Sequence, residues 1–315
     1  MDPNYASRIL NKLLSNCIIC PHKCLVNRAE GVKGFCKAPA SPVISSSMPH
    51  HGEEPPISGT SGSGTIFFTY CNMRCVYCQN YQISQQHEGR KIKVGKLAEL
   101  MLELQNRGCH NINFVSPSIW IPQIVSATAI AKKSGLNIPL VFNTGGYDNP
   151  RIIKMLEGII DIYMPDIRYS DNEVAKKYSG INNYVDYNHK ALIEMYSQVG
   201  GLKLGPNNIA KKGMLIRLLV LPNNIGEIKK TIDFIKNSLS ADVYLSIMAQ
   251  YHPTFKARQY PEINRSITSK EYYQVVKYAE KKGFSSGYIQ DYVKDDPFMP
   301  DFKDREVFKS YRDES

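Results

Sequence analysis

Eight cysteines carry most of the chemical information in this sequence, and seven of them fall in two tight clusters. The second cluster reads Cys71-Asn72-Met73-Arg74-Cys75-Val76-Tyr77-Cys78, a C-x3-C-x2-C spacing. Three thiolates this close can cap three irons of one cubane ([4Fe-4S]) cluster, which ordinarily takes four cysteine ligands. The loop offers no fourth Cys, His or Asp, so one iron is left open to a substrate. A zinc knuckle that borrows a distant fourth ligand is the alternative, and it fits less well because zinc sites favour paired C-x2-C spacing. The first cluster is Cys17-x2-Cys20-x3-Cys24-x11-Cys36, with His22 as a substitute ligand. Four thiolates can close a tetrahedral zinc site or hold a second iron–sulfur cluster, and the sequence does not choose between them. Such a closed centre suits holding a loop-rich segment together or passing an electron, and it is expected to be separate from the Cys71–Cys78 centre. Cys109 stands alone and reads as a small core residue.

Disulfides are the other use of an even cysteine count, but they are rare in reducing compartments. Residues 1–17 are polar, broken by charges and without the apolar stretch of a secretory signal, so a cytoplasmic location is expected. The 315 residues are 43% hydrophobic and 22% charged, which excludes a disordered or collagen-like chain. The apolar run at 215–221 is interrupted by Arg217 and is far too short to span a bilayer, so no membrane partner is expected. The net charge of +10 is spread in short pairs such as Lys132-Lys133, with no run of five, and a nucleic-acid partner is not expected either.

The elements that must position the cysteines follow a simple alternation. A strand at 65–69 runs directly into the C-x3-C-x2-C loop, which puts the cysteines at a strand's C-terminal end, where barrel folds keep their active sites. Strands are expected at 111–115, 138–142, 159–164, 214–221 and 241–249. Helices are expected at 95–107, 118–133, from 149, at 172–178, 187–199, 226–239 and 268–282. Repeated strand-then-helix units make an α/β fold with a parallel sheet and helices outside.

The cysteine loop, with the aromatic Tyr77 before its last cysteine, resembles the signature of the radical S-adenosylmethionine (SAM) superfamily, and Gln79-Asn80 continues it as in the branch that activates glycyl-radical enzymes. The stretches Gly52-Glu53-Glu54-Pro55-Pro56-Ile57-Ser58-Gly59 and Gly62-Ser63-Gly64-Thr65-Ile66-Phe67-Phe68 resemble an uncharacterised subgroup related to the pyruvate formate-lyase activating enzyme. So do residues 17–36, Tyr163-Met164-Pro165-Asp166, Arg217-Leu218-Leu219-Val220-Leu221-Pro222 and Ile247-Met248-Ala249-Gln250-Tyr251. The resemblance spans about residues 15–285.

This resemblance implies a partial (β/α)6 TIM-type barrel at 59–286, and the Cys-, Pro- and Ser-rich composition of residues 1–58 marks a small metal-binding module ahead of it. A C-terminal tail at 287–315 carries Asp291, Asp295, Asp296, Asp301 and Asp304 and either wraps the barrel or stays mobile. It implies that SAM chelates the open iron and is cleaved reductively to a 5′-deoxyadenosyl radical that abstracts hydrogen. It further implies an external electron donor such as flavodoxin or ferredoxin, and a glycyl-radical protein as the substrate. The alternatives are direct action on a small molecule or peptide side chain, and a non-catalytic iron–sulfur or zinc-binding protein. Tyr77 and Asn80 are expected beside the cofactor, Arg217 near its carboxylate or ribose, and His252 near its adenosine. Thr144, Met164 and Asp166 match a monovalent-cation site in which Asn143 replaces an Asp. The family's Gly-Gly-Glu reads Ser116-Pro117-Ser118 here, so serine hydroxyls or backbone carbonyls must take over its contact with the SAM amino group.

Overall fold

Short runs of β-branched and aromatic residues alternate along the chain with longer stretches of helical period, and the architecture follows from that alternation. The computed structural model describes residues 1–293, 299–304 and 307–308. Among these residues ten strands form one sheet: β1 (Val43–His50), β2 (Ser63–Phe68), β3 (Arg90–Lys91), β4 (Ile112–Val115), β5 (Leu140–Thr144), β6 (Ile162–Pro165), β7 (Lys203–Leu204), β8 (Ala210–Leu219), β9 (Tyr244–Met248) and β10 (Gly287–Ile289). Strands β2, β4, β5, β6, β8, β9 and β10 are parallel and adjacent in that order. The path is open, so the barrel is a partial one. Six of these strands are the six expected. The seventh, β10, is three residues long and barely buried, which left no apolar run to read. β1 lies antiparallel on β2, so residues 43–50 form part of the barrel's own sheet.

Strand alternation divides the apolar residues between two faces. Outward-facing Phe68, Phe114, Phe142, Tyr163 and Ile216 join Leu97, Met101 and Ile124 of the surrounding helices in one large core. The helix Pro3–Lys12, N-capped by Asp2, buries Ala6 and Leu10 in that same core and packs on the helix Ile121–Lys133. Inward-facing Val141, Ile162, Met164 and Leu215 meet a residue from outside the barrel strands, Ile57. Ile57 belongs to the short helix Pro55–Ser58, which plugs the barrel interior. Asn111 holds the plug by donating its amide to the Ile57 carbonyl at 2.8 Å. Gly59 ends the plug with φ 48°, and a Cβ there would lie 2.3 Å from Ile209 Cδ1, so only glycine fits.

The described part of the tail packs on the barrel mouth. The Phe302 and Phe308 rings lie 5.3 and 5.7 Å from Phe67, and Gln82 donates to Asp301 at 3.0 Å. Asp295 and Asp296 lie outside the described residues. No helix among the described residues is long and apolar enough to cross a membrane.

Ile57 is fully buried, and its removal leaves a void that the strand walls cannot fill. Ile57→Ala is expected to lower stability by about 2–4 kcal/mol in urea unfolding. A loss below about 0.5 kcal/mol would mean that the plug is not packed as described.

Candidate active site

The cysteine loop begins where β2 ends and is pinned from outside the barrel. Arg74 N–H donates to the Ser179 carbonyl and Val76 N–H to the Tyr178 carbonyl, both at 2.9 Å. The Ser179 hydroxyl donates to Cys75 Sγ at 3.0 Å, and Cys78 Sγ lies 3.3 Å from Ser84 Oγ. Ser179 also meets Tyr169, whose hydroxyl bonds that of Tyr77, so one buried hydroxyl chain runs from Cys75 to Tyr77. Burial, and then the neighbouring Cys75, push the Cys71 thiol up to about 12 and Cys78 to about 11. Thiols held this way ionise only with a metal centre to accept the charge, which is the donor chemistry a cluster requires. Among the described residues no three His, Cys, Asp or Glu side chains are posed around a single ion. A cubane does not ask for that, since it gives each thiolate its own iron.

Below the loop, inside the C-terminal end of the sheet, lies a cavity of about 230 Å3. Tyr77, Cys78, Asn80, Asn143, Asp166, Arg217 and His252 all line it. Arg217, on β8, is its electrostatic centre. Its Nε donates to Asp166 Oδ1 at 2.9 Å, one terminal nitrogen to Asn143 Oδ1 at 2.7 Å, and the other reaches Glu53 Oε2 at 3.4 Å. Burial works against the Arg217 charge, but Asp166, Glu54 and Glu53 outweigh it and hold the group firmly protonated. Arg168 covers the second Asp166 oxygen at 2.6 Å, while its own Nε is buried without a partner. Glu53, Glu54, Arg168 and Ser246 also line the cavity and were not singled out by the sequence reading. The signal for the first two was present: adjacent carboxylates ahead of Pro55-Pro56 in a stretch that reappears as the barrel's plug.

The remaining expected residues sit elsewhere. Cys71 and Cys75 lie in the loop but off the cavity wall. Met164 belongs to the apolar layer beneath the cavity. Thr144 is behind the wall, donating its hydroxyl to Asp148 at 2.7 Å with Ser118 Oγ 3.1 Å away. The Ser118 hydroxyl is thus already engaged with Thr144, off the cavity wall. The Asp166 carboxylate, where the resemblance implies a monovalent ion, is instead covered by two guanidinium groups.

Cys17, Cys20, Cys24 and Cys36 are all free thiols. Burial raises Cys20 well above the usual thiol range, and neighbouring Cys36, Cys17 and Cys24 add to the shift. His22 turns to the catalytic loop, with Nε2 2.9 Å from the Asn72 carbonyl and its ring stacked on Phe35. Arg74 of that loop donates to the Phe35 carbonyl at 2.8 Å. The two cysteine segments are therefore in contact through their loops.

A model of the radical SAM superfamily matches residues 65–235. The chain belongs to the radical SAM superfamily. It is 32% identical over 281 residues to an uncharacterized protein of Methanocaldococcus jannaschii, an overlap covering 87% of this chain and 77% of that one. In fold it is similar to a radical SAM methyltransferase from Sphaerobacter thermophilus, with a TM-score of 0.50 at 9% identity over 72% of this chain and 65% of the other. It also aligns with the FeFe-hydrogenase maturase HydG from Carboxydothermus hydrogenoformans, with a TM-score of 0.47 at 12% identity over 70% of this chain, spanning half of HydG's length.

Asp148, behind the wall, is fully buried with one carboxylate oxygen unpartnered, and burial pushes its pKa up to about 6 against the pull of Ser118 and Thr144. Its pKa in the unfolded chain is about 3.9, so the folded state binds the proton more tightly and stability falls as pH rises from about 4 to about 6. Asp148→Asn should therefore gain on the parent by about 3 kcal/mol between pH 4 and pH 7 in urea unfolding of the metal-free chain. A difference that stays constant across that range would show that the carboxyl is not shifted.

Proposed function

We propose that this superfamily member is a SAM-cleaving enzyme whose radical acts on an organic substrate held inside the partial barrel. One observation carries the reading: Cys78 and Arg168 line the same cavity, and the Arg168 guanidinium keeps a buried N–H without a hydrogen-bond partner. A carboxylate-bearing ligand fits that donor. When bound, the cluster and SAM together supply an organic radical able to abstract hydrogen.

Cys71, Cys75 and Cys78 hold the cluster. Arg168 and Arg217 take the SAM carboxylate, and Asn143 and Asp166 fix the plane of the Arg217 fork. Tyr77, locked by its hydroxyl chain, offers a rigid ring beside the adenine, with Asn80 and His252 at the rim. Thr144 and Met164 support the wall from behind and below. Two guanidiniums on Asp166 already balance its charge, so the reading needs no monovalent cation. Cys17, Cys20, Cys24 and Cys36 hold zinc or an iron–sulfur centre that braces the catalytic loop through His22 and Phe35. Flavodoxin or ferredoxin is the type of donor that delivers the electron.

The motifs shared with the pyruvate formate-lyase activating subgroup support a glycyl-radical protein as the substrate. The carboxylates lining the cavity favour direct action on a small molecule or side chain, because a glycine loop has no charge for them to meet.

Replacing Cys71, Cys75 and Cys78 together by Ala should remove the catalytic iron and reduce 5′-deoxyadenosine formation to background, with the circular dichroism of the barrel unchanged. Near-normal product from that variant would end the proposal. Mixing the reduced enzyme with a glycyl-radical protein and looking for its doublet by electron paramagnetic resonance separates the two substrates. Cys20→Ala with Cys24→Ala should lower metal content by one site and expose residues 1–42 to protease, while the catalytic cluster still assembles. Loss of all iron, or retention of all metal, would show that the two sites are not distinct.

A further inference from the structure

The cavity floor carries two carboxylates, Glu53 and Glu54, to which the reading above gives no role. The plug segment places Glu53 and Glu54 across the barrel interior at the level of Arg217 and Ser246, which face each other in the β8–β9 register. The rim lies beyond the end of β9, where Gln250 and His252 follow and Gln79 of the cysteine loop donates to the Gln250 carbonyl at 3.0 Å. Glu53 is partnered by Asn113 at 2.8 Å and by Arg217. Glu54 is not. Only 5% exposed, it has its Oε2 buried without a hydrogen bond. It stands at the N-cap of the helix Pro55–Ser58 yet does not cap it. The Ser246 hydroxyl on the same cavity wall is also buried, beside the Glu54 carboxyl and with no other partner. Burial pushes the Glu54 carboxyl above the usual carboxylate range, with Arg217 and the Ser246 hydroxyl pulling against the shift and Glu53 adding to it.

Charge counting gives the same answer. Among the described lining residues three carboxylates (Glu53, Glu54, Asp166) face two guanidiniums (Arg168, Arg217). SAM bound to the open iron through a neutral amino group would not correct the imbalance, because its carboxylate and sulfonium would cancel. A buried charge without a partner is costly unless a ligand supplies one.

We propose that Glu54 and Ser246 form a subsite for the ammonium group of the substrate, so that the substrate class is an aliphatic amine. This rests on the SAM-cleaving reading above. An ammonium group carries three donors and suits a carboxylate and a hydroxyl held side by side, and the pairing would orient the rest of the substrate toward the rim. Two sources carry that group: a free alkylamine and a lysine side chain of a peptide.

The test is calorimetric titration of the reconstituted, unreduced enzyme with n-butylammonium and, separately, with Nα-acetyl-lysinamide, using 1-butanol as the neutral control. Saturable binding of either ammonium, with no binding of butanol, is expected. Binding of n-butylammonium at least as tight as that of the lysinamide identifies a free amine as the source, and tighter binding of the lysinamide identifies a side chain. Glu54→Gln should weaken that binding by about tenfold or more, and Ser246→Ala by about threefold. Glu54→Gln should also unfold in urea at or above the parent's midpoint, since it removes a buried, unpartnered charge.

No saturable binding of either ammonium, equal binding of butanol, or an affinity indifferent to Glu54→Gln would overturn the proposal. So would a tenfold change in the ratio of SAM to S-adenosylhomocysteine affinity in Glu54→Gln, because the carboxylate would then serve the sulfonium. Failure of the parent enzyme to form 5′-deoxyadenosine on reduction would instead sink the SAM-cleaving reading, and the titration reports on the subsite independently of it.

Discussion

The buried Arg217 fork ties the barrel together at the level where its chemistry must happen. One guanidinium on β8 bonds Asp166 after β6, Asn143 on β5 and Glu53 on the plug, and so joins elements separated by as much as 164 residues of chain. Removing either side of such a buried network leaves a charge without its partner, so each member constrains the others. The inner wall consequently has one arrangement of donors and acceptors, and the cavity is shaped by it. Arg168 extends the network by covering the free face of Asp166, which leaves one unpartnered donor of its own on the cavity wall.

The cysteine loop is positioned differently, by contacts from outside the barrel. Its backbone hangs on Tyr178 and Ser179, its sulfur on the Ser179 hydroxyl, and its outer surface on His22 and Phe35 of the N-terminal segment. A loop held on both flanks keeps three thiols close despite burial and mutual repulsion, and that preorganisation lowers the cost of accepting a cluster. The N-terminal segment thus acts on the cysteine loop through the packing and hydrogen bonds of His22 and Phe35.

Glu54 is the costly position within this frame. A fold selected for stability alone would place an apolar residue above Ile57, continuing the layer of Val141, Ile162 and Leu215. The chain instead keeps there a carboxylate with one oxygen lacking a hydrogen bond, beside a buried serine hydroxyl on the same wall. Local rules broken without a compensating contact in the protein itself tend to mark ligand sites.

The sequence by itself determined the chemistry and the layering. The C-x3-C-x2-C spacing is a local pattern, so the three-thiolate loop could be read directly, and the alternation of strand and helix periods gave six of the seven parallel strands. Arg217 was legible because a lone charge in an apolar strand has to find a partner. Which partner it finds depends on strand order and register, and these arise from contacts between segments far apart in the chain. Only the tertiary structure therefore turned Thr144 away from the cavity, put two arginines on Asp166 and sent His22 to the catalytic loop. For the same reason it was folding alone that carried Glu53 and Glu54 from an irregular N-terminal stretch into the middle of the barrel: nothing in their local spacing records the strands that close around them.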